Sequence, residues 1–146
     1  MIIFALQFNS MREELKSPVA DHVKMAVIPE LNEEGAIQHY VYLLNLRDDI
    51  MEGIIITSKG YGEDLSTGEK IKTSVLRHSL EVLLPDEAAK IEPIMEEVFG
   101  LTNEYFVSFW IEDTLYDKKF LFLPESIHEK NFVEIPKLGK KGVMVG

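Results

Sequence analysis

The 146-residue chain contains no cysteine, and that absence excludes thiolate nucleophiles, iron–sulfur ligation, thiolate zinc sites and a disulfide framework. Excess positive charge is missing too. With 15 basic against 25 acidic residues and a formal charge of −10, the surface repels polyanions unless its cations are gathered on one face, so nucleic acid is a disfavoured partner. Long hydrophobic runs are lacking, and the N-terminal MIIFALQFNS has neither a basic leader nor a small-x-small cleavage signal, so it reads as neither a secretion signal nor a membrane span. The expected location is cytoplasmic, with no membrane partner. Because Met11 follows that run, residues 1–10 read as an N-terminal extension to a core that begins later.

What the chain has is ordinary globular material. Hydrophobic residues at 46% and charged residues at 27% suit a single domain over 1–146 that buries roughly two-thirds of its unfolded surface without a staple. Most apolar stretches are short, rich in Val, Ile, Phe and Tyr, and punctuated by Gly, Pro, Asn or Asp, which predicts strands joined by turns. Seven are expected: 22–28, 37–46, 53–59, 71–84, 104–112, 118–123 and 132–135. Within 71–84, Leu76, Leu80, Val82 and Leu84 share the face expected to be dry. In 104–112, large apolar groups on both faces predict a central strand, with Trp110 in core packing. Residues 112–117 form the reversal into 118–123.

One segment has helical spacing. Ile91, Ile94, Met95, Val98 and Phe99 fall at i, i+3, i+4, i+7 and i+8, with Pro93 suited to a first turn and Gly100 to a stop, so a short helix is expected over 93–99 after an extended AKIE. Strands with almost no strand–helix alternation predict a mainly β fold, an antiparallel immunoglobulin-like β-sandwich with one short helix. A flattened barrel is the alternative.

Chemical signatures are sparse. GYGEDLSTGEKIKTS (60–74) has the glycines and hydroxyls of a phosphate loop, but Gly62 and Gly68 are five residues apart, Glu69 stands where a lysine belongs, and a strand follows; it reads as a turn between strands. His22, His39, His78 and His128 have no metal-binding spacing, so neither metal nor cofactor is expected. Ser74 and His78 share a strand face but lie roughly 13 Å apart, beyond the reach of a nucleophile–base hydrogen bond. Glu96 and Glu97 diverge as neighbours on a helix and read as a solvated face. Lys59, Lys70, Lys72 and Arg77 with Tyr61, and three more lysines in PKLGKKGVMVG, could gather into a basic patch for RNA, though lysines at strand edges also discourage aggregation.

The remaining polar cluster is Lys59, Thr73, Arg77, His78 and Glu92, with Arg77 expected to pair with Glu92. The leading expectation is a non-catalytic protein-interaction module, with a homodimer as one form of contact. A small-ligand binder or enzyme built on that cluster is the alternative.

The blocks SPVADHVKMAV, IIITSKGY, KTSVLRH, AKIEPIMEEVFGLTNEYFVSF and LYDKKFLF together resemble a family of small proteins from Bacteroidetes-type bacteria often labelled phenylalanyl-tRNA synthetase subunits. The resemblance runs from about Ser17 to the C-terminus and rests on the order and spacing of the blocks. It implies a small sandwich and an association with the synthetase or its tRNA. It carries no catalytic residues, since the long arginine-bearing motifs of a synthetase ATP site are not in this sequence.

Overall fold

A computed structural model describes residues 18–146; the expected N-terminal extension, 1–10, lies outside the described residues. The strands are β1 (Val23–Leu31), β2 (Ile37–Asn45), β3 (Met51–Glu63), β4 (Lys70–Lys72), β5 (Leu76–Leu83), β6 (Glu87–Ile94), β7 (Thr102–Ile111), β8 (Thr114–Phe122), β9 (Val133–Ile135) and β10 (Lys140–Val145). They form two antiparallel sheets. One runs β6-β2-β1-β10-β9; in the other, β3 is flanked on one side by β4 and β5 in succession and on the other by β7 and then β8. Among the described residues both sheets end in open edges, so the barrel alternative does not hold. Among the described residues no helix is long and apolar enough to cross a membrane.

Alternation explains the shared core. Val23, Met25 and Val27 of β1, Val41 and Leu43 of β2, Ile54 and Ile56 of β3, and Tyr105, Val107 and Phe109 of β7 point into one buried cluster drawn from both sheets. Alternation of period two puts each such set on one side of its strand. In this core Phe109 stacks on Tyr116, with centroids 5.3 Å apart and planes inclined by 4°.

Four expectations change. The apolar face expected in 71–84 is broken, because Leu83 is buried while Val82 and Leu84 are exposed. The cause is a bulge in β3, whose register against β7 shifts between Glu52 and Ile55. Gly53 sits there at φ +55°, and a Cβ on it would stand 3.2 Å from the Trp110 ring. Past the bulge Met51 turns inward, and Leu83, its partner on β5, follows. The single strand 71–84 also divides into β4 and β5, with Thr73 between them exchanging bonds with Gly60: Thr73 N–H donates to the Gly60 carbonyl at 2.9 Å and Gly60 N–H to Thr73 Oγ1 at 2.7 Å.

The helix expected over 93–99 is a single 3-10 turn, Glu96–Val98. Pro93 and Ile94 belong instead to β6, paired with Tyr40 and His39 of β2. β6 is an edge strand, where a missing proline N–H costs no ladder bond. The helical spacing arises because Ile94 ends a strand in the core while Val98 and Phe99 pack beside it from the turn; Phe99 meets His39 edge-on at 5.0 Å. The reversal expected over 112–117 is tighter, a two-residue turn at Glu112–Asp113, with Glu112 at φ +53° and Ile111 already paired with Thr114.

The lysine tail provides β10. It pairs with β9 through Lys140–Gly142, then with β1 through Val143–Val145. The handover needs glycine: a Cβ on Gly142 would lie 2.3 Å from the Val27 carbonyl oxygen. On the side of β1 and β2 facing away from the shared core, Ala26, Ile28, Tyr42 and Leu44 form a second buried cluster with Ile135 of β9 and Leu138 of the following turn. Glu30 fastens this cover. It accepts from the Tyr42 hydroxyl and meets Lys90 at 3.2 Å and Lys140 at 3.4 Å. Burial pushes its carboxyl up, but Tyr42, Lys90 and Lys140 outweigh that and hold it below the ordinary glutamate value.

Candidate functional site

Where β5 and β6 lie side by side, the two sheets leave a cleft of about 290 Å³. Its polar part comes from inward positions of three strands. Ser58 continues the Ile54–Ile56 face of β3 and donates from its hydroxyl to Glu92 Oε1 at 2.8 Å; His78 Nε2 of β5 stands 3.1 Å from the same oxygen. The Glu92 side chain is 9% exposed, so this carboxylate joins the two sheets across their edge. Nearby, burial first and the Glu92 charge second push the Tyr105 phenol far above its ordinary value, keeping it a neutral hydroxyl. Leu76, Met95 and Val98 supply apolar wall.

Of the five expected cluster residues, Lys59, Thr73 and Glu92 line this cleft, and His78 reaches it through Glu92. Arg77 does not. It is exposed on the opposite face of β5, paired across the ladder with Thr57, so the expected Arg77–Glu92 ion pair is replaced by His78–Glu92. Neighbours on a strand point to opposite faces, and only the His78 face meets β6. Lys59 pairs with Glu104 at 3.6 Å.

A hydrolytic relay needs the hydroxyl bonded to the imidazole and the imidazole to the carboxylate. Here the carboxylate is in the middle and takes both, so Ser58 donates its hydrogen bond to Glu92 and not to His78. Among the described residues no group of three or more His, Asp or Glu is placed to hold a metal ion. The glycine-rich stretch is a turn, as its sequence predicts: Asp64 Oδ1 accepts from the Ser66 and Thr67 N–H groups at 2.8 and 3.3 Å, and Gly68 takes φ +73°. Between its two arms lies an open groove of about 640 Å³ in which Lys59, Lys70 and Lys72 are interleaved with Glu63 and Glu104, so the cations do not form an uninterrupted basic track.

The second feature is the outward side of β5-β3-β7-β8. Along β7, Glu104, Phe106, Ser108 and Trp110 alternate with the buried set. The ladder puts Lys59 and Leu121 beside Glu104, Thr57 and Lys119 beside Phe106, Ile55 and Asp117 beside Ser108, and Glu52 and Leu115 beside Trp110. β5 adds Arg77, Ser79 and Val82. Phe106 is 40% and Trp110 42% exposed, which corrects the expectation that Trp110 packs in the core. β7 is an interior strand, as expected, but among the described residues only its Tyr105–Val107–Phe109 side is covered. Two apolar faces in sequence do not say which one the second sheet will take.

Sequence reasoning missed Ser58 and this face. Ser58 was within reach, since it continues the inward period of Ile54 and Ile56. No family model matches the chain, and no curated protein matches it in sequence.

Proposed function

We propose that the chain is a non-catalytic interaction module of the immunoglobulin-like sandwich type, which meets its partner with the outer face of β5-β3-β7-β8. The observation that carries this is the exposure of Phe106 and Trp110 on one side of an interior strand, among Ile55, Leu115 and Leu121. A monomeric surface seldom gathers such groups, and aromatic residues among arginine and lysine are the composition of binding surfaces. The sandwich assignment is supported by strand order: β1 and β6 flank β2 in one sheet, and β5, β3, β7 and β8 run in sequence across the other. This is the A-B-E and C′-C-F-G arrangement of immunoglobulin-like domains, with β9 and β10 added beside β1.

The test is crosslinking in native cells with a photoreactive residue at Thr57, at the centre of the face. A discrete adduct is expected, and it should vanish when Phe106→Ser and Trp110→Ser are added while urea unfolding of the variant stays cooperative. An adduct pattern indifferent to both substitutions would defeat the reading.

The cleft supports a second reading, a site for a small ligand, because Glu92, held by Ser58 and His78, lines it together with Thr73. Calorimetric screening that detects a ligand lost in Glu92→Gln would favour it over the first.

A further inference from the structure

We propose that the outer face of β5-β3-β7-β8 pairs with the same face of a second copy of this chain, in a dimer whose twofold axis crosses the strands at the level of Val107. This rests on reading that face as an interaction surface, and goes further by naming the partner. A twofold interface must be complementary to itself, and this face is.

Charge is graded along the strands. One end carries Glu52 and Glu81 and the hairpin tip Glu112–Asp113; the other carries Lys59, Lys70, Lys72, Arg77 and Lys119 against Glu63 and Glu104. At the basic end Glu104 is shared by two ammonium groups, Lys59 at 3.6 Å and Lys119 at 3.9 Å, so positive charge remains in excess there. For two sheets packed face to face, the axis lies in the plane between them. An axis along the strands would set acid on acid, whereas an axis across them sets the acidic end of one copy on the basic end of the other. Like charges facing one another across an interface are disfavoured, so the gradient selects the second arrangement.

The level of the axis follows from the side chains. With the axis at Val107, midway between Phe106 and Ser108, each strand lies over its own reversed copy. Phe106 then covers the partner's Ser108, large against small. Lys119 faces the partner's Asp117, and Lys59 the partner's Glu52. Leu121 meets the partner's Leu115, and both are exposed in the single chain at 37% and 40%. Moving the axis by one row, to the level of Phe106 or Ser108, sets Phe106 or Ser108 on itself and breaks the Lys–Asp and Leu–Leu matches together. The aligned packing of twisted sheets, offset by about 30°, brings such opposite rows into reach.

Four strands over these rows make a patch of about 20 by 25 Å. That is at the small end for a specific interface, so the dimer should assemble at micromolar rather than nanomolar concentration.

Sedimentation equilibrium from about 1 μM to about 1 mM tests this directly. The wild-type chain is expected to pass from monomer to dimer, with association weakened by salt. Lys119→Asp and Asp117→Lys should each weaken it at least about tenfold, and the double variant K119D/D117K should regain most of the lost affinity, because reversing both residues restores the two Lys–Asp pairs across the twofold axis. Circular dichroism of each variant checks that it is folded, and a photoreactive residue at Ser79, exposed on β5 at the edge of the face, reports the contact in cells. A chain that stays monomeric throughout, or a double variant no better than the singles, overturns the dimer. A cellular adduct to a different protein, with a monomer in vitro, overturns self-pairing while leaving the surface reading standing; no adduct of any kind removes both.

Discussion

On the far side of β1 and β2, Ala26, Ile28, Tyr42 and Leu44 are sealed beneath Ile135 and Leu138, whereas on the far side of β7, Phe106 and Trp110 stand in solvent. Both sheets are therefore apolar on two faces, and the described residues supply a cover for only one. The covered face needed a hairpin, a glycine at the crossing and a buried carboxylate fastened by a tyrosine and two lysines. The uncovered face has none of these. What it has is large apolar groups ringed by charges of both signs, the composition of a surface completed from outside. The comparison separates apolar residues that stabilise the monomer from those available for association.

The largest contrast should come from truncating one residue on each face. Ile28→Ala, at a fully buried position, is expected to cost about 2–5 kcal/mol in urea unfolding, while Trp110→Ala in dilute monomer should cost under about 1 kcal/mol. Equal losses would mean that the uncovered face stabilises the monomer after all. Next, Gly142→Ala drives a methyl into the Val27 carbonyl, and should lower stability by about 1–3 kcal/mol and speed hydrogen exchange in β9 and β10 ahead of β7. Uniform acceleration would refute the idea of a separate cover.

A smaller effect, about 1–3 kcal/mol or less, is expected at Glu30. Its carboxyl is held below its unfolded value, so its contribution is complete above about pH 4.5 and disappears as pH falls through the lowered folded value. Acid should therefore loosen the β9–β10 cover, and Glu30→Gln should flatten that dependence. Smallest is His39. Burial lowers its pKa despite an opposing effect from Glu96, so the folded chain binds fewer protons than the unfolded one near pH 6, and stability should rise slightly with pH there. His39→Phe should abolish that slope.

Much of the fold was legible from period-two alternation: every one of the seven expected strands has a counterpart, and β7 was correctly read as interior. The departures have identifiable causes. The bulge at Gly53 inverts the face of β5, an event set by the partner strand and invisible in 76–84 itself. β10 is hidden because KKGVMV opens with two lysines, which belong there because Lys140 reaches Glu30 across the chain. The helical spacing at 91–99 is an accident of a strand end followed by a 3-10 turn. At the cleft, Lys59, Thr73, His78 and Glu92 were named from sequence, but pairing Glu92 with Arg77 rather than His78 ignored the alternation that sends those neighbours to opposite faces. The exposure of Trp110 could not be read, since it depends on which side the other sheet covers.

The most direct measurement uses solvent labelling of side chains, comparing the chain inside cells with the purified chain at high dilution. Leu65, fully exposed, should react equally in both, and Leu44 should be protected in both. The account predicts that Phe106 and Trp110 react freely in the dilute protein and are protected in cells. Equal reactivity of these two rings in both settings would contradict it.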